Sequence, residues 1–127
     1  MKQFFKNIGI IIVGIISGSV LNMIFILSGS FIFPLSENFE PMSALNWDLK
    51  YFIFPFLAHS IGTLSGAFIA SKLLRGYNII IPLTVGVFFL WVGIYMVMIM
   101  PAPIWFISLD LILCYIPMAL LGWKISK

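Results

Sequence analysis

Three polar side chains interrupt long apolar stretches of this chain: Asn22, His59 and Asp110. Hydrocarbon disfavours the charged form of a lone carboxylate or imidazole. A His–Asp contact instead lets the two share a proton and compensate charge, so its occupancy responds to pH or to a bound cation. One reading of the trio is therefore a proton- or cation-coupled site facing a cavity. The other is a hydrogen-bonded clasp that fixes three helices. Interhelical hydrogen bonds average only about 0.6 kcal/mol where measured, so a clasp by itself offsets little of the burial of a charge. Ionisable residues inside a membrane are a functional hypothesis by default.

The spacing around these residues gives them neighbours. Pro55, His59, Gly62 and Gly66 share one helical face, with Ser60 and Thr63 beside it. Asp110, Cys114 and Pro117 form a similar stripe. Measured from the middle of its own apolar run, Asn22 lies about 3 Å, and His59 and Asp110 each about 5 Å, toward the same side at 1.5 Å per residue. The three side chains are thus expected in one layer, with Ser60, Thr63 and Cys114 as their supports.

Other chemistry is poorly supplied. Met96, Met98 and Met100 suggest soft-metal binding, but only Met96 and Met100 share a helical face, and methionine is an ordinary packing residue. Cys114 is the single cysteine and His59 the single histidine, which leaves no disulfide and too few ligands for zinc. A Ser60–His59–Asp110 triad fails because adjacent helical residues point about 100° apart. Neither a metal nor a cofactor is expected, and an enzyme is the weakest of the readings.

These residues must be held by membrane-spanning helices. Of 127 residues, 62% are hydrophobic and 9% charged, against about half and a quarter in soluble domains. With a mean hydropathy of +1.16, that composition excludes both a soluble domain and disorder. A bilayer core about 30 Å thick takes about 20 apolar residues per helix. Four runs qualify, at 8–31, 52–73, 79–100 and 104–122, and together they predict one transmembrane domain over 1–127, an all-α four-helix bundle. Barrel strands would alternate polar and apolar residues, and these runs do not. The breaks are helix breaks: Pro34, Gly76 with Asn78, and Pro101-Ala102-Pro103. Lys2 and Lys6 before an apolar stretch resemble a signal peptide. The run continues to Phe33, however, and reads as an uncleaved first span.

Basic residues set the orientation. Lys2, Lys6, Lys72, Arg75, Lys124 and Lys127 fall on one side, whereas Glu37, Glu40, Asp48 and Lys50 fall on the other. The positive-inside rule then places both termini in the cytoplasm of an inner-membrane protein. Trp47, Tyr51 and Trp105 would mark the outer interface, and Tyr77 and Trp123 the inner one. The pI near 9.2 follows from these scattered charges, with no stripe of the nucleic-acid-binding kind. In the long outer loop, Phe39, Met42, Leu45 and Trp47 suggest a segment lying along the interface, as an anchor or as a lid.

Small residues predict how the spans pack, because helices in lipid associate through close approach and polar contacts. The second span carries Ala58, Gly62, Gly66 and Ala70, and the first carries Gly14 and Gly18. The third has Gly86 and Gly93 on one face. The expectation is a tight pairing of spans one and two, with span three alongside. No internal repeat is evident.

The segments 54–64 (FPFLAHSIGTL), 101–106 (PAPIWF) and 109–111 (LDL) resemble those of small bacterial four-helix membrane proteins with no assigned activity. The resemblance implies the fold over most of the chain and no mechanism. No motif matches a small exporter, a sugar transporter or a membrane enzyme. Two functions remain. One is a small proton- or cation-linked transporter or channel, working as a homo-oligomer because four helices enclose little volume. The other is a structural or accessory subunit packed by the same polar residues.

Overall fold

Apolar runs separated by prolines leave the backbone one way to satisfy its own polar groups, and the chain takes it. The structure, a computed structural model, describes residues 1–34, 49–74 and 78–127. Among these residues every regular element is a helix: α1 (Lys2–Ile32), a 3₁₀ turn (Leu49–Phe52), α2 (Ile53–Leu73), α3 (Ile80–Ile99), α4 (Ile104–Leu113) and α5 (Ile116–Ser126). Four segments are long and apolar enough to cross a membrane: Lys2–Ile32, Leu49–Leu73, Ile80–Ile99 and Ile104–Ser126. The outer-loop residues Phe39, Met42, Leu45 and Trp47, the turn at Gly76, and Tyr77 lie outside the described residues.

Two boundaries differ from the sequence expectation. The first helix begins at Lys2 rather than residue 8. Hydropathy marks what lipid can accept, whereas helix propagation continues through good helix formers. Gln3 Nε2 donates to Asn7 Oδ1 at 2.8 Å, one turn away, and supports the added polar turn. At 31 residues α1 is about 46 Å long at 1.5 Å per residue. The second difference is in the fourth span, expected as one helix over 104–122. It divides into α4 and α5 at Cys114 and Tyr115. Pro117, in the first turn of α5, has no N–H to continue the ladder, and its ring clashes with the carbonyl four residues back.

Close backbone contact organises the interior. A Cβ on Gly18 would stand 2.5 Å from the Gly62 carbonyl oxygen, and one on Gly14 would stand 2.8 Å from that of Gly66. Ala58 and Ala70 continue the α2 side of this seam and are fully buried. On another face of α2, Gly122 of α5 approaches the Leu64 carbonyl, where a Cβ would lie 2.5 Å away. The helix α2 is thus central. The α3 glycines face the fourth span rather than α1: Gly86 accommodates Ala119, and Gly93 accommodates the Tyr115 ring.

The two ends of the bundle differ. At one end Ile10, Ala70, Leu74, Ile81 and Val85 form a packed cluster, and Lys127 Nζ donates to the Ser71 carbonyl at 3.1 Å. Both termini therefore belong to this end. At the other end Phe52 packs on Trp105 and Phe106, with ring centroids 5.2 and 4.5 Å apart. The outward faces carry exposed apolar side chains, such as Ile16, Val20 and Leu27 on α1 and Trp91 and Met98 on α3.

The seam gives a direct test. Gly18→Val forces a side chain against backbone, and overpacking of this kind costs about 1–3 kcal/mol. Thermal unfolding in detergent should show a clear loss of stability for it. Gly9→Val should leave the melting curve unchanged, because nothing lies within 4 Å of a Cβ at that position.

Candidate functional site

Asp110 projects from the last turn of α4 into the bundle, and its side chain is 6% exposed. Burying a carboxylate requires donors for its oxygens, and two different elements supply them. His59 Nδ1 of α2 lies 2.6 Å from Oδ1. The Tyr115 hydroxyl donates to Oδ2 at 3.1 Å. The imidazole and phenol rings also stack, with centroids 6.0 Å apart and planes 26° from parallel. The cluster is therefore a Tyr–Asp–His unit with the carboxylate in its middle.

Tyr115 is the member the sequence does not single out. Five residues after Asp110 on a continuous helix, it would point about 140° away. The break before Pro117 redirects it. Gly93 makes room, since a Cβ there would be 2.6 Å from the Tyr115 hydroxyl oxygen. The available signal was its depth: an aromatic with a polar tip far from either end of an apolar run needs a partner for its hydroxyl.

The supporting residues act through the backbone of α2. Thr63 donates its hydroxyl to the His59 carbonyl at 2.8 Å, and Ser60 donates to the Phe56 carbonyl at 2.5 Å. Cys114 Sγ reaches the same Phe56 carbonyl at 3.6 Å and links the fourth span to α2. Ser60 is thereby turned away from the imidazole. Asn22 sits over Gly62, where a Cβ would be 3.1 Å from the asparagine Cβ. Its amide makes no hydrogen bond to His59 or Asp110 among the described residues.

Asn22, His59, Asp110 and Tyr115 border one cavity of about 840 Å³, which reaches from Ser19, Asn22 and Thr63 to Pro34, Lys50 and Met100. That volume falls within the range of small-molecule sites, about 300–1,000 Å³. The cluster at Ile10, Leu74, Ile81 and Val85 closes the bundle on the side of the termini, so the cavity runs toward the opposite end. Its walls are mainly apolar, with Phe54, Phe88, Phe89 and Phe106 among them. His59 is the accessible member of the cluster at 28% side-chain exposure, and its Nε2 has no hydrogen-bond partner among the described residues. No group of three His, Cys, Asp or Glu side chains among the described residues is placed to hold a metal ion.

The pairing energies are separable. His59→Ala leaves the carboxylate with Tyr115 alone, and breaking a buried pair in this way costs about 3–5 kcal/mol. Tyr115→Phe removes one hydrogen bond, worth about 1 kcal/mol. Combining His59→Ala with Asp110→Leu should recover much of the first loss in denaturant titrations. An additive double mutant would mean that the two residues are not coupled.

The chain matches no protein-family model, no curated protein and no solved structure in comparisons with each.

Proposed function

We propose that the chain is a multi-pass protein of the inner membrane and forms a small proton- or cation-linked transporter or channel around His59 and Asp110. The observation that carries this reading is the asymmetry of the pair. Asp110 is buried and hydrogen-bonded on both oxygens, whereas His59 borders a large cavity and has one ring nitrogen without a hydrogen-bond partner among the described residues. A dry clasp would have both partners sealed. An imidazole between a buried carboxylate and an open volume can exchange a proton with that volume, as one state of a coupling site requires. The accessory-subunit reading draws on the same short contact, and the measurements below separate the two.

The exposed apolar faces are suited to lipid, and the excess of Lys and Arg at the end bearing the termini supports a cytoplasmic position for that end. The cavity would then open outward. Homo-oligomers of the chain would enlarge the pathway that a single four-span bundle can enclose. The partners on this reading are the bilayer, a proton or small cation, and further copies of the chain.

Two experiments test it. In proteoliposomes with an imposed pH gradient and an internal pH-sensitive dye, the wild type should dissipate the gradient. His59→Ala and Asp110→Asn should lower that flux at least tenfold, and flux equal to wild type in both variants would sink the transport reading. Reporter fusions at each terminus should both give the cytoplasmic signal. A periplasmic signal from either would overturn the assigned orientation.

A further inference from the structure

The charge balance of the cluster points to a class of ligand. With Asp110 ionised, Oδ1 accepts from His59 Nδ1–H and Oδ2 accepts from the Tyr115 hydroxyl. A neutral imidazole holding its proton on Nδ1 presents a lone pair at Nε2. In that state the cluster carries one buried negative charge that no neighbour cancels. The positive charge can arrive in two ways: as a proton on Nε2, forming the imidazolium, or as a cation that donates a hydrogen bond to Nε2 from within the cavity.

The surroundings restrict which cation fits. The cavity that His59 borders is walled largely by phenylalanines and aliphatic side chains, including Phe88, Phe89, Val92 and Met96. A hydrated inorganic ion would lose water there for few replacement oxygens, those of Ser19, Asn22, Ser30 and Thr63 among them, whereas an apolar body gains from the transfer. Aromatic faces also attract ammonium groups. At the mouth such an arrangement is already present, with Lys50 Nζ 5.9 Å from the Phe33 ring centroid and 5.2 Å from that of Tyr51. Anions are disfavoured by the carboxylate itself.

We propose that the cavity binds a lipophilic amine, with its ammonium N–H donated to His59 Nε2 and its apolar or aromatic body along the phenylalanine walls, and that this ammonium and a proton on Nε2 exclude one another. This deepens the coupled-site reading above and rests on it. When the amine binds the imidazolium form, the Nε2 proton leaves for bulk solvent as the ammonium takes its place, and net charge is conserved. When it binds the neutral form, no proton leaves.

The other ionisable groups around the pair do not supply that charge. Tyr115 and Cys114 come from the fourth span, and Tyr51 and Lys50 from the turn before α2. The α1 and α3 linings hold serines, Asn22 and apolar residues, none of them ionisable. Lys50 is nine positions before His59, and its Nζ lies over the Phe33 and Tyr51 rings rather than on the pair.

The full chain in detergent would be titrated calorimetrically with 1-naphthylmethylamine, its neutral N-acetyl derivative and anionic 1-naphthylacetate. Repeating the titrations in buffers of different ionisation enthalpy counts the protons released. The amine should bind at least ten times more tightly than either control. It should release up to one proton per molecule bound at the acidic end of the titrated pH series and fewer at the alkaline end. Its affinity should fall by up to tenfold per pH unit toward acid. Asp110→Asn should abolish the preference for the amine, and His59→Gln should abolish proton release. Val92→Trp, which adds bulk to the cavity wall and leaves His59, Asp110 and Tyr115 unchanged, should block binding and covers the case in which Asp110→Asn fails to fold. Equal binding of all three probes, amine binding without proton release at any pH, or no amine binding would each overturn the proposal. Any of these results alongside an intact, His59-dependent proton flux would remove the amine while leaving the coupled site standing.

Discussion

Two donors on one carboxylate hold the fourth span in place. Asp110 is the only acidic residue among those described, and it lies where an unmatched charge would be most costly. Its oxygens are satisfied from α2 by His59 and from the start of α5 by Tyr115. The helix break, the glycine at position 93 that admits the tyrosine, and the orientation of α4 relative to α2 all serve that requirement. Among the described residues the pair also supplies the charge-assisted hydrogen bond between these spans, the stronger kind of polar contact in an apolar interior.

The seam between α1 and α2 works by the opposite principle. There the gain comes from having no side chain at all, so that backbone meets backbone at Gly14, Gly18, Gly62 and Gly66. Many small dispersion contacts replace a few strong polar ones. The seam is tight toward the termini, where α1 also meets α3 through Ile10, Ile81 and Val85. Toward the other end larger side chains line the space, among them Phe33, Phe54 and Met96, and the helices enclose a volume. The packed cluster at one end and the cavity at the other thus divide the bundle along its length.

Much of this was legible in the sequence. Hydropathy marks the four segments to within a few residues, apart from the polar first turn of α1. The shared depth of His59 and Asp110 follows from counting residues along two apolar runs, because helical rise is constant. Orientation about a helix axis is harder to read. The α3 glycines form one face by their spacing, yet spacing does not say which neighbour that face meets, and they meet α5 rather than α1. Tyr115 escapes for a related reason. Its partnership with Asp110 exists only because the helical phase is interrupted between them, and a proline's effect on the preceding turn resets every angle counted across it.

The glycine seam also divides the chain into parts with different freedom to change. At Gly18, Gly62 and Gly66 even one added carbon would meet a backbone oxygen, so drift in sequence is blocked there. Across the cavity, Val92 and Met96 border open space rather than backbone. Exchanges among aliphatic and aromatic side chains at those two positions would reshape the chamber without disturbing the seam. Descendants of this chain could therefore diversify what they accommodate through α3 while inheriting the α1–α2 pair almost untouched.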